Sequence, residues 1–319
     1  MTSYFKRKGG AALIQLLNPP VNGLSHKVRS ALMQDLDRAL QDKAPAVVLM
    51  GAGGHFSAGA DITEFARGGH RTRPALTDVV ECLDAYGTPL VAAIHGSALG
   101  GGLETALACH WRVASSQAVL GLPEVKLGLL PGAGGTQRLP RLTGVAAAVD
   151  LMATGRTLTV QEAFSLGLLD RVMAETAPEA LADAAVAFAL SEAVQGTPIA
   201  ERRVSQRPVH GDTSEELFRA LLDGLNKSTK GAAAPLGVFK AVQAAAVFRS
   251  FPEGMKKETE LFDELARGPQ AKALQYFFFS ERRVGTVPED VLRRQPRAAA
   301  PLALARAPVQ AAAVVGGGA

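Results

Sequence analysis

Cysteine, tryptophan and long apolar runs are what this sequence has least of. Its 319 residues include two cysteines, Cys82 and Cys109, and one tryptophan. Neither cysteine sits in a CxxC pair or at ligand spacing from a histidine. That excludes a disulfide framework and the common zinc sites, and both thiols are expected in the core. No apolar run reaches the about 18 residues of a membrane span. The opening "MTSYFKRKGG" has no apolar stretch of the secretory kind, so a cytoplasmic location is expected. Excess charge is also scarce. The balance of 34 basic against 30 acidic residues leaves +4, spread along the chain. That argues against a nucleic-acid surface and suits an anionic small molecule. The six histidines share no spacing, and neither Ser57 nor Ser97 lies in a GxSxG elbow, so a serine-hydrolase site is not indicated.

What is present is a 47% apolar composition in alternating strand and helix patterns. "AALIQLL", "AVVLMGAGG", "PLVAAIHG" and the end of "ALACHWRVAS" read as strands apolar on both faces. Residues 26–42 show helical spacing, with Val28, Leu32, Leu36 and Leu40 on one face. Strands of this kind between helices mean an α/β core with covered sheets. Beyond Thr176 the chain turns alanine-rich and helical. "APEALADAAVAFALSEA" is amphipathic, 200–213 reads as a loop, and helices are expected near 214–228, 232–248 and 254–282. "TVPEDVLRRQPRAAAPLALARAP" reads as a linker.

Three stretches share a pattern of apolar strand, small residues and helix: "VVLMGAGGHFSAGADI", "AAIHGSALGGGLE" and "GLLPGAGGTQRL". Glycine permits close approach to the backbone, and helix N-termini present unpaired N–H groups. Two such turns facing one pocket aim two N–H groups at a developing oxyanion. The alternative is close strand–helix packing. None of the three matches GxGxxG or a phosphate loop ending in GK[ST]. Two carboxylates, Glu104 and Glu124, stand among apolar neighbours, which suits general acid–base work. Their alternatives are a favourable helix N-terminus for Glu104 and a surface pair with Lys126 for Glu124. Asp61 reads as an N-cap.

"HFSAGADI", "GSALGGGLETAL", "GLPEVKLGLLPGAGGTQRLPRLTG" and "ATGRTLTVQEAFSLGLLDRV" together resemble the enoyl-CoA hydratase/isomerase family, the crotonases, over roughly residues 5–195. The later "GMKKETELFDELARGPQAKALQYFFFSERR" resembles the region joining hydratase and dehydrogenase halves in multifunctional β-oxidation enzymes of the peroxisomal type. "VQAAAVVGGGA" resembles the first strand and turn of an NAD-binding unit. On this resemblance the chain is the N-terminal part of a longer protein.

The resemblance implies a crotonase (ClpP-like) spiral of ββα units with a C-terminal helical region. It implies a hydratase core at 1–195, a helical region and linker helix at 196–285, a Pro/Ala-rich linker at 286–307 and a Rossmann start at 308–319. It implies hydration of a trans-2-enoyl-CoA by Glu104 and Glu124, with a 3-enoyl to 2-enoyl isomerase activity beside it. The thioester oxygen would be held by the N–H groups of Ala60 and Gly101. CoA contacts would come from the backbone of Ala58 and from Phe279 and Arg283. Some family members carry lysines where this chain has Gly54 and Thr63, so Lys27 or Arg29 is expected to meet the phosphates.

Hydration needs no cofactor, and NAD is expected only for a dehydrogenase part outside this sequence. The partner is an acyl-CoA thioester, with no nucleic acid and no membrane span. Monomer and homo-oligomer both remain open, and a peroxisomal location would follow from a targeting signal in a full-length tail. The competing functions are an acyl-CoA hydrolase of the same fold and a CoA-binding module without catalysis.

Overall fold

A computed structural model describes residues 1–61, 64, 69–248 and 250–284. The main sheet holds six strands: β1 (Thr2–Lys6), β2 (Ala12–Leu16), β3 (Val47–Gly51), β4 (Leu90–Ile94), β6 (Trp111–Ser115) and β9 (Arg171–Met173), in that spatial order. β1 runs antiparallel to β2, and the other neighbours are parallel. A smaller sheet is built from β5 (Ser97–Leu99), β7 (Val119–Gly121) and β8 (Thr157–Thr159).

Side chains alternate across a strand, and here both faces are covered. Leu49, Ala92 and Ile94 face the larger core with helix α1 (His26–Gln41). Val48, Met50, Val91 and Ala93 face a second core with Leu181, Ala185 and Ala189 of a helix at Pro178–Ala189. This is why these strands read as unbroken apolar runs.

Between the sheets the chain repeats a step. β4 ends at Ile94, Gly96 turns with φ 53°, and β5 joins the smaller sheet. A Cβ at Gly96 would strike the Gly54 carbonyl, so the turn needs glycine. β5 then runs into helix Gly101–Ala108. β6 and β7 repeat the step one level on, and Ser57 bridges Ala98 as the preceding one.

In chain order the longer helices among the described residues are α2 (Leu76–Ala85), α3 (Gly101–Ala108), α4 (Gly135–Thr143), α5 (Val145–Thr154), α6 (Val160–Ser165), α7 (Pro178–Ala189), α8 (Glu215–Ser228), α9 (Ala233–Val247), α10 (Phe251–Arg267) and α11 (Pro269–Val284), with single helical turns at Glu192–Gln195 and at Ile199–Arg202, the latter at the start of the stretch expected as a loop. Three readings from the sequence are corrected. The single helix near 254–282 is two, broken at Gly268 before Pro269, where proline stops the incoming helix. Residues 129–134 form no strand. They leave a 3₁₀ turn at Glu124–Leu127 and enter α4 irregularly. The N-terminal "TSYFK" is a strand, β1, where none was read. The helix expected after Asp61 falls largely outside the described residues.

The chain divides into two compact units, Met1–Tyr276 and Phe277–Ala319. Residues 196–276 thus share a unit with 1–195, where α9 packs on α4, α5 and α10. In the second unit the described residues are the last turns of α11, with the Phe278 and Phe279 rings edge to face at 5.7 Å. The expected linker at 286–307 and Rossmann start at 308–319 lie outside the described residues. Among the described residues no helix is long and apolar enough to cross a membrane.

Candidate active site

The triple glycine that opens α3 exists because three backbones meet there. Gly100 has φ 53°, a conformation that glycine adopts without strain. A Cβ on Gly101 would stand 3.3 Å from the Ala60 nitrogen, and one on Gly102 would sit 2.8 Å from the Ser57 Cβ. Ser57 is tied to this point by its own bonds. Its N–H donates to Ser97, its carbonyl accepts from Leu99, and its hydroxyl donates to the Asn22 carbonyl while accepting from Gly59 N–H. The result is that the N–H groups of Ala60 and Gly101 lie together, and neither donates a hydrogen bond among the described residues. A backbone N–H without an acceptor at a packed site is unusual.

Glu104 lies on the first turn of α3 and is 3% exposed. Its Oε1 accepts from the N–H groups of Ala133 and Gly135, both at 2.8 Å. These are orphan donors at the N-terminus of α4, where a carboxylate is favoured. Its Oε2 has no hydrogen-bond partner among the described residues. Burial raises the Glu104 carboxyl above its ordinary range, while the two N–H donors and the nearby Arg138 pull it back.

Glu124 opens the 3₁₀ turn below β7. The residue is partly exposed, yet its Oε2 is buried without a partner. Its Oε1 lies 3.0 Å from the position of a Cβ at Gly100. Burial first, then the charge of Glu104 and that of Glu258, push it well above the ordinary range. Among the described ion pairs none joins Glu124 to Lys126, which removes the surface-pair alternative.

A third buried carboxylate was not read from the sequence. Glu258 on α10 is fully buried and accepts from Gly134 N–H at 2.7 Å, from Thr136 N–H at 3.1 Å and from the Thr136 hydroxyl. Its only sequence signal is position. Gly254, Glu258 and Leu261 form the buried stripe of α10, so an acid stands where the pattern calls for an apolar residue.

Ala58 is exposed, with its N–H donated to the Val21 carbonyl and its own carbonyl without a partner among the described residues. Arg29 does not fit the expected phosphate role. It is 2% exposed, and its guanidinium is used by Glu64 and the carbonyls of Leu24 and Pro74. Lys27 is exposed. Phe279 lies on α11 in the second unit, and the side chain of Arg283 is outside the described residues. No cluster of three histidine, cysteine or acidic residues suited to a metal occurs among the described residues.

The family model described as enoyl-CoA hydratase/isomerase matches residues 6–217. The chain is 45% identical over 284 residues to a peroxisomal bifunctional enzyme of Danio rerio, covering 88% of this chain and 38% of that protein. It is 38% identical over 329 residues to a glyoxysomal fatty acid beta-oxidation multifunctional protein of Cucumis sativus, covering 97% of this chain and 42% of that one. The chain thus spans about two fifths of these relatives' length. Among solved structures, a carnitinyl-CoA dehydratase from Mycobacterium avium superposes with TM-score 0.61 at 28% identity, over 85% of this chain and 94% of that one. An enoyl-CoA hydratase from Bacillus anthracis gives 0.57 at 28% identity, over 88% and 96%.

Proposed function

The chain belongs to the enoyl-CoA hydratase/isomerase family, and from that premise we propose that it adds water across the 2,3 double bond of a trans-2-enoyl-CoA in fatty acid β-oxidation. The observation that carries this reading is the meeting of two unused N–H groups, Ala60 and Gly101, with two carboxylates in apolar surroundings.

The thioester oxygen accepts from Ala60 and Gly101 as the double bond is attacked. Water oxygen bonds to C3, and the π electrons move into the C1–C2 bond and onto the thioester oxygen, where preorganised donors stabilise the charge. Glu104, locked through Oε1, uses Oε2 to hold the water and take its proton. Glu124, whose burial favours the protonated form, delivers a proton to C2. The enolate collapses, and 3-hydroxyacyl-CoA leaves with one water added. The same acid near C2 supports transfer of a proton between C2 and C4, the 3-enoyl to 2-enoyl isomerisation.

In this reading 1–195 is the hydratase core, 196–285 a helical region and linker helix, 286–307 a linker, and 308–319 the start of an NAD-binding unit. Hydration uses no cofactor, and NAD serves only the dehydrogenase part. Ala58, Phe279 and Arg283 contact CoA, and exposed Lys27 takes over the phosphate role that Arg29 cannot fill. The relatives' names support a peroxisomal setting.

The test is loss of enoyl-thioester ultraviolet absorbance with crotonyl-CoA. Formation of 3-hydroxybutyryl-CoA without free thiol supports hydration. Free CoA supports the hydrolase, and binding without reaction supports a non-catalytic module.

A further inference from the structure

The N-terminus of α4 is held from two sides in strict alternation. Glu104 takes the N–H groups of 133 and 135, and Glu258 takes those of 134 and 136. Such a terminus is commonly capped by a Ser, Thr, Asp or Asn of its own. Here the N-cap is Gly134 at φ 94°, with no side chain to offer. The capping groups arrive instead from α3 and α10. A fully buried carboxylate is costly to the fold unless something compensates it. Glu258 has three hydrogen bonds but no ion pair among the described residues. The neighbouring Arg138 is turned to Asp84 at 3.5 Å.

We propose that Glu258 is a positioning residue for the Glu104–Glu124 pair: it holds the Gly134–Thr136 turn so that Ala133 and Gly135 lock Glu104, and its charge is linked to that of both glutamates. The inference rests on the hydratase reading above. The lock on Glu104 leaves one oxygen for water, and α10 becomes part of the site although it touches no substrate.

Several groups face Glu258. Glu104 comes from α3 and Glu124 from the 3₁₀ turn. Arg138 comes from α4, with Asp84 of α2 behind it. Arg141 of α4 lies over the Phe251 ring at the start of α10. Lys240 on α9 and Lys272 on α11 are exposed, and Arg71 pairs with Asp263. Burial and the charge of Glu104 push Glu258 up to about 8, so it ionises on the alkaline side of neutrality. Its ionisation there holds the proton on Glu124.

The experiment is Glu258→Gln, assayed for crotonyl-CoA hydration against pH and, separately, for carboxyl titration by NMR with carboxyl-labelled glutamate. The amide keeps the volume and can accept from Gly134 but not also from Thr136. The expected result is a kcat lower by roughly 10- to 100-fold, with KM little changed. The alkaline limb and the Glu124 signal both move to lower pH. A wild-type limb and signal, with or without a loss of kcat, would overturn the proposal, because packing alone moves neither. If Glu258→Gln does not fold, Thr136→Val takes its place. Losing the hydroxyl donor raises the Glu258 signal and lowers that of Glu124, and an unmoved Glu124 signal overturns the proposal. A wild-type chain that fails to hydrate crotonyl-CoA would sink the hydratase reading, while the titration still reads the linkage.

Discussion

The Ala60 nitrogen lies 3.3 Å from where a β-carbon on Gly101 would stand. Two amides without an acceptor among the described residues are thus brought together by a glycine that nothing larger can replace without displacing one of them. A Cβ at 101 would also come within 2.5 Å of Leu76 Cδ2. That side chain can swing aside, but the Ala60 backbone cannot.

Gly101→Ala is therefore expected to leave a folded protein with the proposed oxyanion site spoiled. The expected loss is roughly 10²–10³ in kcat, the scale of removing one such donor. Steady-state kinetics beside circular dichroism check it.

Gly102→Ala acts on the fold instead. The new carbon would press on the Ser57 carbonyl and lie 2.8 Å from the Ser57 Cβ, inside the bridge to Ala98. Overpacking against backbone predicts a loss of about 1–3 kcal/mol, read as a lower denaturant midpoint at unchanged slope.

Glu124→Gln separates chemistry from stability. Activity is expected to fall by roughly 10²–10⁴ with the proposed proton donor gone. The folded-state carboxyl of Glu124 is raised. As pH rises above the ordinary value, the unfolded chain releases the proton first, and wild-type stability falls. The variant lacks that term. Its stability relative to wild type should grow as pH rises above the ordinary carboxylate range, as thermal unfolding at each pH will record.

His110 gives the opposite slope. It is fully buried, its Nδ1 accepts from Leu90 N–H, and burial lowers it to about 4. The unfolded chain binds the proton first, so stability falls as pH drops from histidine's ordinary 6.5 toward 4. The full effect is about 3 kcal/mol. His110→Asn, which keeps an acceptor for Leu90, should flatten that acid limb in denaturant titrations.

The main sheet was legible because β2, β3, β4 and β6 are buried on both faces, which writes continuous apolar runs into the chain. The smaller sheet was not, since β5, β7 and β8 have three residues each, too few for a period to register. Glu104 and Glu124 could be picked out by their apolar neighbours and their motifs. Glu258 could not. Its partners Gly134 and Thr136 lie more than 120 positions away, and its surroundings, "MKKETE", read as a solvated face. Arg29 misled for the converse reason, since nothing local shows that Glu64 and the carbonyls of Leu24, Thr72 and Pro74 consume its guanidinium.

In the proposed mechanism Glu104 directs water to C3 while Glu124 protonates C2. Hydration of crotonyl-CoA in water enriched in heavy oxygen and deuterium tests it most directly. Heavy oxygen at C3 and deuterium at C2 of 3-hydroxybutyryl-CoA are expected, both lost in Glu104→Gln and Glu124→Gln proteins that remain folded. Heavy oxygen in a released carboxylate, or undiminished labelling in either variant, would contradict it.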